Sequence, residues 1–315
     1  MTCNLCKSSN VSLIKKFQPY EDMDWGFDIY DCQNCGVRFA VRDTSINYHE
    51  IIHSFEDGPY ATHYNKINYL KSIWYDIKQV ENFIRKSSPV FEQLLNYIKN
   101  KPKDINILEI GCSTGYVTAY LHELGYKKSL GIDISTSVVE FARREFGPFY
   151  DVKECEGCKY DVIFHSGLIG CVDTPREFLM HYMEKLNDKG IMLFNAPNVN
   201  SVRELNQLWV STPPPDLTYL FHKNIFVDMF AQKDYKVSIT ETVSPLIILY
   251  KNRFNKPLYE YPRKFTHKQG SFKGETYIKK TIKKIVSFFL RGLIFCRILK
   301  YYSDDYGLIV KVEKK

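Results

Sequence analysis

Residues 105 to 115 constrain the fold of this chain more than any other stretch. An apolar run, Ile105 to Ile110, meets Gly111-Cys112-Ser113-Thr114-Gly115 and passes into a helical pattern from Val117 to Leu124. A strand that turns into a helix through glycines uses backbone conformations closed to other residues and leaves bare main chain for a ligand to approach. The alternation then continues, with strands expected at Ser129 to Ile134, Tyr160 to His165 and Gly190 to Asn195, and helices at Ser137 to Phe146 and Pro175 to Leu186. Lys223 to Gln232 reads as a further helix, Tyr235 to Thr242 as a strand and Tyr306 to Val312 as the last one. Such alternation predicts an α/β fold, a parallel sheet with right-handed crossovers and helices on both faces.

The second of these strands ends in Gly131-Ile132-Asp133, which sets a carboxylate beside the glycine turn, where it can accept both hydroxyls of a ribose. A nicotinamide dinucleotide site uses the same parts with G-x-G-x-x-G spacing. Here Ser113 and Tyr116 stand at its second and third glycines, so a pyrophosphate would meet side chains where it needs bare backbone. Glu109, just ahead of the turn, opposes a diphosphate and suits a ligand that carries an ammonium group. An adenosyl amino acid fits better than a dinucleotide.

Near the start of the chain lie Cys3-x-x-Cys6 and Cys32-x-x-Cys35. Each pair sets two thiolates on one edge of a metal through a tight knuckle, and two knuckles supply the four tetrahedral ligands of structural zinc. Val11 to Phe17, Phe27 to Asp31 and Val37 to Ala40 read as the strands of a ribbon that is too small to bury a core and needs metal. Cys155-x-x-Cys158 has no matching pair and reads as two loop thiols. Met1 to Lys16 holds no continuous apolar core, so a cytoplasmic location is expected, where the nine cysteines serve as ligands and thiols rather than disulfides.

Between residues 46 and 100, Ile67, Leu70, Ile73, Trp74, Ile77 and Val80 recur three and four apart, then Phe91, Leu94, Leu95 and Ile98, with Pro89 in the first turn of the second helix. Residues 251–300 hold 14 Lys or Arg against two acids, although the whole chain carries only +7. The segment ends in an expected helix from Ile278 to Tyr301 whose apolar stripe Arg291 and Arg297 interrupt, which argues against a membrane span and allows peripheral membrane contact. The chain thus divides into a ribbon (1–42), a helical cap (43–100), a cofactor core (101–245), a basic insertion (246–303) and a last core strand (304–315).

Taken together, these residues resemble the class I S-adenosylmethionine-dependent methyltransferases. The first motif of that family, an acid followed by a degenerate G-x-G-x-G, reads Glu109-Ile110-Gly111-Cys112-Ser113-Thr114-Gly115, with Ser113 at the central glycine, and Asp133 matches its ribose-binding acid. Tyr160-Asp161-Val162-Ile163 looks like its fourth strand, Leu186-Asn187-Asp188-Lys189-Gly190 like the approach to the fifth, and Phe194-Asn195-Ala196-Pro197-Asn198 like the end of that strand. The resemblance covers residues 105 to 245. It implies a Rossmann-like seven-stranded methyltransferase sheet and S-adenosyl-L-methionine as cofactor. Glu109, Gly111, Cys112, Gly115, Asp133, Ile134 and Ser166 would hold that cofactor, with Tyr60 and Tyr64 closing over its methionine end.

With the ribbon in front, the chain is similar to zinc-ribbon methyltransferases of sugar, capsule and natural-product modification. Three departures stand out. The frequent "LEHV" reads Ile169-Gly170-Cys171-Val172, "PEHL" reads Pro215-Asp216-Leu217, and only Asp151 offers itself as an adenine-binding acid. Methyl transfer is an in-line displacement in which alignment supplies much of the rate, and a hydroxyl acceptor adds the need for a base. His165, at the end of its strand, is the first choice of base, with His222 and Asp173 behind it. The expected activity is O-methylation of a sugar hydroxyl, nucleotide-linked or in a glycan precursor, on an anionic acceptor. Carbon methylation of a keto-deoxysugar and a scaffold without turnover stay open. An RNA-binding ribbon is the remaining alternative, and the balanced charge of residues 1–42 speaks against nucleic acid.

Overall fold

The computed structural model describes residues 1–17, 26–41, 61–204, 208–210, 214, 217–231, 234–241 and 307–315. The expected basic insertion and its helix, Tyr60, Asp216 and the side chain of Tyr64 lie outside these residues.

Three strands open the chain, β1 (Val11–Phe17), β2 (Phe27–Cys32) and β3 (Arg38–Val41). The helices α1 (Ala61–Ile73), α2 (Ile77–Ser87) and α3 (Pro89–Ile98) follow. The alternation then runs through β4 (Ile107–Ile110), α4 (Tyr116–Glu123), β5 (Ser129–Ile132), α5 (Thr136–Phe146), β6 (Tyr150–Asp151), β7 (Tyr160–His165), α6 (Pro175–Glu184) and β8 (Leu186–Ala196). It closes with α7 (Val199–Glu204), β9 (Tyr219–Leu220), α8 (Asn224–Phe230), β10 (Tyr235–Glu241) and β11 (Leu308–Lys314).

Seven strands form the main sheet in the order β10-β11-β8-β7-β4-β5-β6. From β6 to β8 all pairs are parallel, whereas β11 enters antiparallel between β8 and β10. The expected parallel sheet is therefore mixed at one side. Leu308, Ile309, Val310 and Val312 are buried, as an interior strand requires. One face is covered by α1 to α4, which pack Leu70, Val80, Leu94, Val117 and Tyr120 against Val162, Phe164 and Leu193. The other is covered by α6 and α8, with Leu179, Met183, Phe226 and Met229 against Ile163, Met192 and Val310. Local chemistry sets the helix starts: Asp76 accepts from the N–H groups of Lys78 and Gln79 ahead of α2, and Ser88 accepts from Val90 with Pro89 in the first turn of α3.

The ribbon strands are built into this body. A second sheet runs β1-β2-β3-β9, so the strand that completes the ribbon comes from the far end of the core. Gly170, after β7, accepts from the N–H groups of Thr218 (2.7 Å) and Tyr219 (3.0 Å), and Pro197, after β8, accepts from Phe221 at 2.7 Å. The same segment returns a bond to the ribbon, Ala40 N–H to Thr218 O at 2.8 Å. A buried fork reinforces the joint: Arg38 donates to both oxygens of Asp31 (2.7 and 3.0 Å) and to Leu208 O, while Arg203 approaches Asp31 at 3.3 Å. Among the described residues no helix is long and apolar enough to cross a membrane.

Candidate functional site

The glycine loop has the backbone that its residues imply. Gly111 (φ +67°) and Gly115 (φ +83°) occupy the left-handed region, and so does Ser113 (φ +49°), the residue standing where the family pattern has a glycine. A Cβ on Gly115 would lie 2.8 Å from both Ala142 Cβ and the Tyr150 ring, so the position is closed by packing as well as by φ. Tyr150 holds the loop from beneath. Its ring lies under Gly131, and its hydroxyl donates to Gly115 O at 2.6 Å. Tyr150 has no sequence signal of its own, since β6 is two residues long.

Asp133 closes the loop from the side. Its Oδ2 accepts from Ser113 N–H at 3.0 Å and its Oδ1 from Ser135 N–H at 3.1 Å. These bonds orient a carboxylate that is 8% exposed, against the end of β5 and beside the loop. The next residue, Ile134, is 68% exposed, an apolar side chain offered at the same edge. Asp151 lies one strand further out, its backbone carbonyl taking Asp133 N–H and its carboxylate 3.5 Å from Arg143.

Three of the expected site residues have other surroundings than the sequence reading gave them. Glu109 is buried behind the loop. It is 4% exposed and accepts from the N–H of Thr118 at 3.0 Å and from its hydroxyl at 2.5 Å, so it caps α4 from the preceding strand, a task that Gly115 has no side chain to perform. Burial, with Asp133 nearby, pushes its carboxyl up to about 8. Cys112 contributes only main chain to the loop, because its side chain is buried toward Gly131 and its thiol is pushed up by burial. His165 is fully buried, stacked on Phe194 and edge-on to Phe178, with neither ring nitrogen bonded, and desolvation lowers its pKa to about 3. A base must reach the proton it takes, and this imidazole is sealed among rings.

The other candidates lie on the open rim. Ser166 shares a 2.7 Å hydrogen bond with Ser88, the cap of α3. Asp173 is exposed, with its backbone carbonyl accepting from Tyr219. His222 is half-buried beside Gly36 of the ribbon, its Nδ1 accepting from Asn224 N–H at 3.4 Å. Sequence reading gave no sign that His222 would stand next to the second knuckle, because β9 is too short to show a strand pattern.

The four ribbon cysteines meet at one point. All four sulfurs lie within 4.8 Å of one another, with Cys3 to Cys35 at 3.7 Å and Cys6 to Cys32 at 3.5 Å. Zinc–sulfur bonds of about 2.3 Å in a tetrahedron put sulfurs about 3.8 Å apart, so the cluster has the size such an ion requires. The two knuckles also repeat each other. Lys7 N–H bonds Cys3 O at 2.8 Å with Lys7 at φ +60°, and Gly36 N–H bonds Cys32 O at 3.0 Å with Gly36 at φ +74°. By contrast, Cys155 and Cys158 are not loop thiols but a disulfide, brought together where Gly157 turns at φ +71°.

A family model described as a methyltransferase domain matches residues 79–238. The malonyl-[acyl-carrier protein] O-methyltransferase of Anoxybacillus flavithermus is 27% identical over 134 residues, 40% of this chain and 51% of that protein. Its counterpart in Ilyobacter polytropus is 26% identical over 151 residues, 45% of this chain and 56% of that one. The chain thus spans about half the length of the curated relatives it matches. Among solved structures, the plantazolicin methyltransferase BpumL in complex with SAH superposes with a TM-score of 0.43 at 16% identity, covering 78% of this chain and 88% of that one. An S-adenosylmethionine-dependent methyltransferase from Archaeoglobus fulgidus gives the same score and identity over 79% and 99%.

Proposed function

Because this chain belongs to the methyltransferase-domain family, we propose that it transfers a methyl group from S-adenosyl-L-methionine to an oxygen of a small anionic acceptor. The observation that carries this reading is the tie between Asp133 and Ser113 N–H. It holds a carboxylate and a left-handed loop side by side at the ends of β4 and β5, the pairing an adenosyl ligand needs. The cofactor, when bound, supplies a methyl group on a sulfonium that leaves readily. Asp133 would accept the ribose hydroxyls, Ile134 would cover the adenine, and the main chain of Gly111 to Ser113 would approach the amino-acid end. Glu109 and Tyr150 keep that loop in place.

We assign the acceptor to the space between the ribbon and the ends of β7 and β8, where β9 joins both, and the cysteine cluster to one structural zinc ion. The acceptor class we favour is a sugar hydroxyl, on the resemblance of the ribbon-plus-core layout to glycan-modifying enzymes. Asp173 and His222, on the rim, are then the candidates for the base. A second reading is favoured by the enclosure of His165 and Glu109. A carboxylate acceptor, as the names of the malonyl relatives describe, is already ionised at neutral pH and needs no base.

Calorimetry with S-adenosylhomocysteine tests the first step: wild type should bind, and Asp133→Ala should lose at least tenfold in affinity. Binding untouched by that change would remove the cofactor assignment. A panel of hydroxyl and carboxylate acceptors tests the second, with a rate that falls under acid conditions for a base-assisted hydroxyl and stays level down to about pH 5 for a carboxylate.

A further inference from the structure

Five buried side chains among the described residues have a polar atom without a hydrogen-bond partner: Ser129, Tyr160, His165, Asn195 and Trp209. An orphaned buried donor costs its desolvation unless a ligand or water meets it. Ser129 and Tyr160 begin β5 and β7, at the sheet edge opposite the glycine loop. Trp209 sits in the apolar cluster under the ribbon, and His165 among aromatic rings. Asn195 differs from all four, because it lies fully buried next to the last residue of β8, at the edge where the loop and Asp133 lie, with its oxygen held by a backbone N–H.

Its amide has one orientation. Gly167, at φ +78°, donates its N–H to Asn195 Oδ1 at 2.7 Å, so the oxygen faces the chain after β7 and the two N–H groups of Nδ2 face away from it. Neighbouring Phe194 packs with Phe226 on one face of the sheet, and alternation along the strand turns Asn195 to the other, the face of α3. There Ser166 Oγ bonds Ser88 Oγ, which caps the ten-residue helix α3 by accepting Val90 N–H at 3.2 Å. An unpaired amide donor and the N-terminus of a helix thus lie on one face of the sheet, the first held by Gly167 and the second bonded to the adjacent Ser166. Both suit an oxygen that carries negative charge.

We propose that Asn195 is a ligand-binding residue of this site, its Nδ2 donating to a carboxylate or hydroxyl oxygen. That oxygen comes either from the methionine end of the cofactor or from the methyl acceptor. The proposal rests on the methyltransferase reading and adds to it the residue that holds the oxygen.

The test is the side-chain amide resonance of Asn195 in protein labelled with 15N-asparagine, assigned by its loss in Asn195→Ser. Three probes are added in turn: S-adenosylhomocysteine, then 5′-methylthioadenosine, which lacks the amino acid, then acetate on top of 5′-methylthioadenosine. A shift with S-adenosylhomocysteine and none with 5′-methylthioadenosine assigns the oxygen to the cofactor carboxylate. In that case Asn195→Ala weakens S-adenosylhomocysteine about tenfold or more and leaves 5′-methylthioadenosine unchanged. A shift that needs acetate assigns it to the acceptor. A resonance unmoved by every probe, while calorimetry shows S-adenosylhomocysteine bound, overturns the proposal alone. Absence of calorimetric binding would instead bring down the cofactor reading beneath it. Thermal unfolding of each variant shows that a lost signal is not a lost fold.

Discussion

Replacing Glu109 with Gln isolates what the buried carboxyl does to stability. In the unfolded chain this group ionises near its ordinary 4.5, whereas in the folded protein burial holds it protonated up to about 8. Across that window the unfolded chain sheds a proton that the folded one keeps, so stability falls as pH rises and is fully present only below 4.5. At 1.36 kcal/mol for each pH unit between the two values, the loss by pH 8 is about 4 to 5 kcal/mol. Glutamine keeps the length and an oxygen for Thr118, and it does not titrate. The stability difference between Glu109→Gln and wild type should therefore grow by about 3 to 4 kcal/mol, in favour of the variant, from pH 5 to pH 8, because a little of the loss already falls below pH 5. Every other titrating group contributes equally to both proteins and cancels in the difference. Urea unfolding of cofactor-free protein at pH 5, 6, 7 and 8, followed by circular dichroism with the slope checked for constancy, reads it directly. Two curves that stay parallel would refute the reasoning, and the carboxylate would then be charged in the folded state.

Other consequences can be checked alongside it. Gly115→Ala forces a side chain into a left-handed position already filled by Ala142 and Tyr150, and should lose S-adenosylhomocysteine binding by calorimetry along with about 2 kcal/mol or more of stability. Arg38→Ala leaves Asp31 buried with only the longer contact to Arg203, and should cost about 3 to 5 kcal/mol in denaturant unfolding. Removing metal with a chelator should raise amide exchange at Ala40, whose N–H reaches Thr218 O across the joint between β3 and the β9 segment, while amides of β4 and β7 keep their protection. His165 has a pKa depressed from 6.5 to about 3, so its contribution is present above pH 6.5 and lost as pH falls toward 3. His165→Phe should flatten that acid loss in thermal scans.

The strands and helices of the core were legible because each carries its own period. The expected Ser129 to Ile134 strand is β5 with two residues fewer, and the expected Gly190 to Asn195 strand is β8, extended back to Leu186 by its pairing with Tyr160. What stayed hidden was contact between distant segments. Glu109 carries the family acid at its proper place, yet only the fold reveals that the N–H and hydroxyl of Thr118 both donate to its Oε2. His165 ends its strand as expected, and only Phe178 and Phe194 show that it is sealed. The two-residue strands β6 and β9 are too short for any pattern, although one brings Tyr150 under the loop and the other brings the ribbon to the rim. The cysteine spacing, by contrast, announced its cluster, because a knuckle is local chemistry.

The pairing of β3 with β9 has a consequence for how the chain is made. Arg38 and Phe39 find their partners Leu220 and Tyr219 about 180 residues later, a separation that slows closure of such contacts. During synthesis the four cysteines emerge ahead of the core, but the sheet beside them stays one strand short until most of the core has followed. Through that interval the free edge of β3, with Phe39 and Ala40 beside it, is open to other chains. Excision of the ribbon as a separate module would make that interval permanent, and aggregation of the excised piece is the outcome its edge predicts.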